Sequence, residues 1–307
     1  SVHIYQWDDS DLLANHIFSV SDVEWSSGAT SRFGESADIH IVADDHIRLA
    51  IGNPWQFAST ETGYGAVSLY EASEFASGHW VYGNYTNLKP YVDLSALAGG
   101  FCAENIDLDD DLLIVGMQYT NAGNKYQSGA AVVYEGTDLT GDGVLNWSFD
   151  GLLTSPDSDN GDYAGFDVAI DAASHVAVLG VPGMDYAQTN AGGVIPFTLN
   201  SGEWVYEATL ISRTLQPGVA VGTSVALDGT SLLAGAPSLN LAENPAHPPH
   251  VLSWEIVDRT AYQDPEGGSM GSDNAWSDGI GGTGLGLFSL WLAEPYSVLF
   301  ERYIFYQ

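Results

Sequence analysis

The stretch "DLTGDGVLN" sets oxygen-bearing side chains where they could hold a metal ion: Asp138, Thr140 and Asp142 alternate, Gly143 follows, and Asn146 comes three residues later. A hard cation takes several oxygen ligands from a loop that a glycine lets turn sharply. Calcium is the cofactor this pattern suggests, with Asp138, Thr140, Asp142 and Asn146 as its ligands. The set is incomplete, because Thr140 replaces an acidic ligand and the twelfth position is Phe149 rather than Glu. The loop is therefore either a weak calcium site or a plain polar connection.

Other candidates carry less chemistry. "PDSDNGDYAGFD" offers Asp157, Asp159 and Asp162, but Asp, Ser, Asn and Gly are also ordinary connection residues. "DLDDD", Asp107 to Asp111, lacks the glycine of a calcium loop and reads as the cap of a tight turn. The eight histidines show no His-Glu-x-x-His spacing, and His247 and His250 fall in the Pro-rich stretch "ENPAHPPH", a surface loop. No Gly-x-Ser-x-Gly elbow, phosphate-cradling loop or nucleophile with an evident base is present. We expect no enzyme.

Charge narrows the partners. Forty acidic residues against seven basic ones give a net charge of −33. Phosphate binding needs clustered Lys and Arg, so nucleic acid is excluded as a direct partner. Such acidity suits a solvated surface in salty or calcium-rich surroundings, where counterions screen self-repulsion. No run of 18 apolar residues occurs, so no membrane insertion is expected. Cys102 is single, which rules out an intrachain disulfide and points to a buried structural thiol. A start at Ser1 rather than methionine leads us to expect a removed leader or a fragment.

The elements that must position these residues recur. "VGTSVALDGTSLLAGAPS" reads as two short strands closed by Asp228-Gly229 and ending in a small-residue elbow. The same outline appears at "RFGESADIHIVADDHIRLAIGNP", "GFCAENIDLDDDLLIVGMQ" and "AGFDVAIDAASHVAVLGVP", and the elbow glycines Gly52, Gly116, Gly180 and Gly235 are 64, 64 and 55 residues apart. After each of the first three hairpins comes a second strand pair with an aromatic signature, at "GAVSLYEASEFASGHWVYGNYTNL", "GAAVVYEGTDLTGDGVLNWSFDGLL" and "GGVIPFTLNSGEWVYEATLI". Four antiparallel strands in a unit of this size fit a propeller blade. Trp55, Trp80, Trp147 and Trp204 are aromatics that could stack on sugar faces, but Trp80, Trp147 and Trp204 recur at one place in the repeat and so read first as blade packing.

"RFGES" followed by "AIGNP", and "GTSVALDGTSLLAGAP", resemble FG-GAP repeats, the unit of integrin-α-like β-propellers and of many bacterial surface proteins. The resemblance runs from Arg32 to about Asp258 and implies an all-β propeller at the cell surface or in the extracellular space. The family's calcium loops lie between first and second strands, whereas Asp138 to Asn146 falls between third and fourth. We expect one domain over 1–307: outer strands of a closing blade in 1–31, blades at 32–95, 96–158, 159–215 and 216–268, and the closing blade with a terminal strand in 269–307. Five blades result if the N- and C-terminal segments pair to close the ring, six if each end builds its own. The four inner runs, Ile39 to Ala43, Ile106 to Leu108, Val168 to Ile170 and Val225 to Leu227, are expected to be mostly buried.

The company such repeats keep implies a non-enzymatic adhesion or assembly protein that associates with itself or with other surface proteins and glycans. A glycan-binding, lectin-like propeller is the alternative, and a polysaccharide-active enzyme the second alternative. The apolar tail "YSVLFERYIFYQ" is a spare strand that pairs either within its own chain or in trans, building a fibre or lattice.

Overall fold

A computed structural model describes residues 1–8, 13–21, 32–54, 65–76, 79–88, 103–185, 188–211, 217–237, 250–258, 286–290 and 298–305. Trp55, Cys102, His247 and most of the hairpin expected over 271–295 lie outside them. The protein is all-β. A first antiparallel sheet runs in the order β3 (Ala37–Ala43), β4 (His46–Asn53), β5 (Ala66–Ala76), β6 (His79–Leu88), after a two-stranded sheet of β1 (Val2–Asp8) and β2 (Leu13–Val20). The second is β7 (Ile106–Asp109), β8 (Leu112–Gly116), β9 (Ala131–Thr137), β10 (Asn146–Leu153). The third is β11 (Val168–Asp171), β12 (Val176–Val181), β13 (Gly193–Asn200), β14 (Glu203–Tyr206). The fourth begins in the same way with β15 (Val225–Asp228), β16 (Ser231–Ala236) and β17 (His250–Asp258), and β15 and β16 close through Gly229 and Thr230, with Gly229 at φ 57° in the first loop position that favours glycine.

The sheets stack face to face. Alternate residues of each second strand enter different cores, because successive side chains of a strand point to opposite faces. Leu113 and Val115 join Ala50, Val67 and Leu69 of the first sheet, while Leu112 and Ile114 join Ile170, Leu179 and Ile195 of the third. Val176 and Val178 in turn meet Leu232, Ala234, Leu252 and Trp254 of the fourth. At the other end Leu49 and Ile51 pack with Ile4, Phe18 and Val20, so the β1–β2 hairpin covers the first sheet as another sheet would. Covered on both faces, β8 and β12 are buried along their whole length.

Two expectations need correction. The N- and C-terminal segments do not share a sheet: β1 and β2 pair with each other, whereas β18 (Gly286–Leu290) and β19 (Val298–Phe305) extend the fourth sheet. There β19 runs parallel to β17 and antiparallel to β18, so the terminal strand pairs in cis, one of the two arrangements expected for it. An unpaired edge beside β17 is an unfavourable surface, and a strongly β-forming segment satisfies it. The inner runs also differ in burial. Val168 to Ile170 is buried, but β3, β7 and β15 are largely half-buried or exposed. They are edge strands, and it is the second strands that sit between two cores.

Candidate functional site at the loop end of the strand seams

The first strands of neighbouring sheets meet in three seams with one repeated geometry. Asp38 Oδ2 accepts the Leu108 amide and Asp107 Oδ2 the Ile170 amide, each at 2.7 Å. Two residues on, His40 Nδ1 accepts the Asp110 amide at 3.0 Å, Asp109 Oδ2 the Ala172 amide at 2.8 Å, and Asp171 Oδ2 the Gly229 amide at 2.8 Å. Two residues before, Ser36 Oγ donates to the Ala103 carbonyl at 2.8 Å, Asn105 Nδ2 donates to the Phe166 carbonyl, and Asp167 Oδ2 accepts the Val225 amide at 2.7 Å. Edge strands present amides that lack ladder partners, and carboxylates are strong acceptors for them. Part of the acidity is therefore structural, and "DLDDD" ties a seam as well as closing a turn.

Burial sets the protonation of these carboxyls. Desolvation, reinforced by the Asp38 carboxyl beside it, pushes Asp107 up to about 7 against the amide bond from Ile170. Burial likewise raises Asp167. At Asp171 burial pushes upward too, but bonds from Ser174 and Gly229 outweigh it and the group ends below its ordinary value.

The four residues suggested for calcium lie around one exposed turn. Asp138 Oδ1 accepts the amides of Thr140 and Gly141 at 3.1 and 2.6 Å and Oδ2 that of Gly143 at 3.0 Å, while Asp142 Oδ1 accepts the Val144 amide at 3.1 Å. These amide bonds hold Asp138 below its ordinary pKa. Asn146 stands across from Thr137 at the start of β10 and reaches its carbonyl at 3.4 Å. The structure thus brings Asp138, Thr140 and Asp142 together through the backbone, and an ion here would compete with the amides for the same oxygens. In the second acidic stretch Asp157 accepts from Tyr206 and Thr209, and Asp162 from the Asp159 amide. Among the described residues no three His, Cys, Asp or Glu side chains form a metal cluster.

Trp80, Trp147 and Trp204 each pack against the core on the same side of their sheet, and Trp204 Nε1 also donates to Asp150 at 2.6 Å. Near Trp147 a cavity of about 10 Å³ is lined by Arg48, Tyr70, Glu71, Thr86 and Leu145. That volume holds roughly one water. Its Arg48 is buried and matched by Glu71 at 2.9 Å and Asp110 at 3.1 Å.

A different cluster gathers where the first strands begin. Each is entered through a residue at positive φ, Gly34, Ala103, Gly165 or Gly222, whose amide donates to the elbow glycine carbonyl of the same sheet at 2.9 to 3.2 Å. The next residue is Glu35 in the first repeat and Glu104 in the second, so the same fold position supplies two neighbouring carboxylates. Arg32 lies between them, with Nη1 2.9 Å from Glu35 and 3.8 Å from Glu104. Glu104 accepts from Gln118 Nε2, and burial raises its pKa. Tyr119 and Tyr163 meet edge to face at 5.9 Å, and Tyr163 donates to Gln127 at 3.3 Å. The loops that carry these tyrosines are held side by side by the Tyr163 and Ala164 amides, which donate to the Gln127 and Ser128 carbonyls. Aligning the repeats one residue past the left-handed position would have exposed the Glu35 and Glu104 pair. Nothing in sequence spacing signalled Gln118, Tyr119 or Tyr163.

No family model matches the chain, and no curated protein is detectably similar to it.

Proposed function

We propose that this chain is a non-enzymatic adhesion or assembly protein of the cell surface or extracellular space, built as an FG-GAP-like β-propeller. The repeated sheets, elbows and seams support the propeller reading. The β1–β2 hairpin at one end of the stack and the uncovered far side of β16 at the other are the surfaces that ring closure would bring together. In that ring the four sheets are blades, and the hairpin belongs to the fifth.

The observation that carries the functional reading is where the fold leaves polar atoms over. Gln118 Oε1, Thr120 Oγ1 and Ser158 Oγ are buried and have no hydrogen-bond partner; all three lie in the loops after β8 and β10, whereas Trp80 Nε1, also unmatched, lies on β6. Buried polar atoms are nearly always satisfied, so a group of exceptions marks a place completed by something else. A face of loops suits contact with another macromolecule, whereas the seam side chains are already engaged in holding sheets together.

Antibody staining of intact producer cells, alongside the culture medium, tests this reading. Signal on unpermeabilised cells or in the medium is expected. Signal seen only after permeabilisation would overturn it.

A further inference from the structure

We propose that His3 and His16, on the outer face of the β1–β2 hairpin, form a surface binding site for zinc. The site goes beyond the reading of the chain as a contact protein and does not depend on it.

The two rings aim at one point. His3 Nδ1 and His16 Nε2 each lie 2.7 Å from Ser19 Oγ, and the ring centroids are 5.9 Å apart. Strand parity alone would not bring them together. His3 stands opposite Ser19, but His16 and Ser19 are three residues apart on β2, an odd step that in a regular strand sends side chains to opposite faces. The register shifts between Ile4 and Tyr5, so that Ile4 faces Phe18, Tyr5 faces His16, and Ile17 is the extra residue. Ile17 packs with Phe18 against the Ile47, Leu49 and Ile51 core, and His16 returns to the outer face with His3 and Ser19. Bulges re-aim side chains in this way, often at functional sites. Both histidines are exposed, so an ion reaches them directly from solvent.

The chemistry of the occupant follows from the ring nitrogens. The Ser19 hydroxyl carries a single proton and donates to only one ring. His3 Nε2 is 3.2 Å from Ser1 Oγ, so a proton on Nε2 donates there and the Nδ1 lone pair faces Ser19. Metal-ligating histidines hold their other N–H on such a partner. His16 then donates to the hydroxyl from Nε2, its ring set edge-on to Tyr5 at 5.3 Å. Moving that proton to Nδ1 leaves two lone pairs converging on one point, which rotation of the Ser19 hydroxyl vacates. Neutral imidazole suits zinc and its transition-metal neighbours, whereas calcium and magnesium take oxygen. Zinc sits about 2.0–2.1 Å from nitrogen and imposes no geometry of its own from d electrons, so it accepts a pair fixed by two strands. The two rings supply half of a tetrahedral shell, and water fills the rest. A protonated histidine pair would suit an anion instead, but a net charge of −33 repels anions and draws cations. His-Glu-x-x-His spacing misses this pair because that rule describes one helix face, and these rings meet across a hairpin.

The test titrates the full chain with zinc chloride while the histidine ring resonances are followed by NMR. The His3 and His16 signals should shift together and saturate on one isotherm. His3→Ala and His16→Ala should each weaken binding by at least about tenfold, since losing even a hydrogen-bond partner of a ligand costs that much. His175→Asn removes an exposed histidine from a turn at φ 54°, a conformation asparagine also accepts, and should leave binding unchanged. Calcium chloride should leave both rings unmoved. If either alanine variant loses the hairpin, glutamine at the same position carries the comparison. The proposal is overturned if His16→Ala binds zinc as tightly as the parent, or if His175→Asn weakens binding as much as His16→Ala does. Saturation of the same resonances by calcium chloride would overturn it too, because diffuse negative charge would then be holding the ion.

Discussion

The second strands β12 and β16 occupy the same place in their sheets, yet one is buried at every residue while the other alternates between buried and exposed. Their sequences, VAVLGV and SLLAGA, are both apolar enough to sit in a core. What differs is the number of neighbours. β12 has the second sheet on one side and the fourth on the other, so Leu179 is fully buried; β16 has the third sheet on one side, so Leu233 stays 42% exposed. Burial here belongs to the stack rather than to the strand.

Leucine truncation should separate the two strands most. Leu179→Ala leaves a cavity between two sheets and should cost about 3 kcal/mol, against less than about 1 kcal/mol for Leu233→Ala. Urea unfolding of both variants measures it, and equal losses would mean that β16 is covered in solution as fully as β12. The elbow glycines should differ by less. A Cβ at Gly180 would come within 2.0 Å of the Gly222 carbonyl, a backbone atom of the next sheet, whereas at Gly235 it would meet the Ser224 hydroxyl at 2.3 Å, which can rotate. Gly180→Ala should therefore cost about 2 kcal/mol and Gly235→Ala about half of that, read as shifts in the same urea midpoints.

The smallest effect sharpens the comparison through pH. Asp171 bridges two sheets, while Asp228, at the same repeat position in the fourth, is exposed. Because Asp171 is held below its ordinary value, its contribution is present at neutral pH and lost as pH falls through its lowered pKa. Asp171→Asn should thus cost about 1 kcal/mol at neutral pH, converge on the parent in acid, and exceed the effect of Asp228→Asn. Asp107 has the opposite sign. Raised to about 7, it holds a proton that the unfolded chain has released, so its seam loses stability as pH rises from about 4 to about 7. Asp107→Asn should flatten that slope in thermal unfolding measured across pH. Parallel profiles for parent and variant would remove Asp107 as its source.

Much of the strand layout was legible because hairpin chemistry is local. Asp-Gly turns, small-residue elbows and apolar runs recur in the sequence, and the strands lie where those signals fall. The seam carboxylates were visible only as charge, since their partners are amides 58 to 70 residues away. The loop-end cluster was less legible still. Gln118 meets Glu104 across the ends of their own hairpin, whereas Tyr163 meets Tyr119 through the stacking of sheets, and no spacing rule reaches across a repeat. The pairing of the terminal strand is open in the sequence for a related reason: its β-forming composition is plain, but composition does not say which open edge a strand will choose.

That choice has a kinetic consequence. Within the first three sheets every neighbouring pair is consecutive in sequence and can zip from its own turn. β19 reaches β17 in parallel from Val298 back to Val251, a pairing no hairpin can nucleate. Its loop must close before any contact rewards it, and such non-local steps are slow. The fourth sheet should accordingly be the last to complete on refolding, waiting with one open edge while the rest of the molecule is already in place.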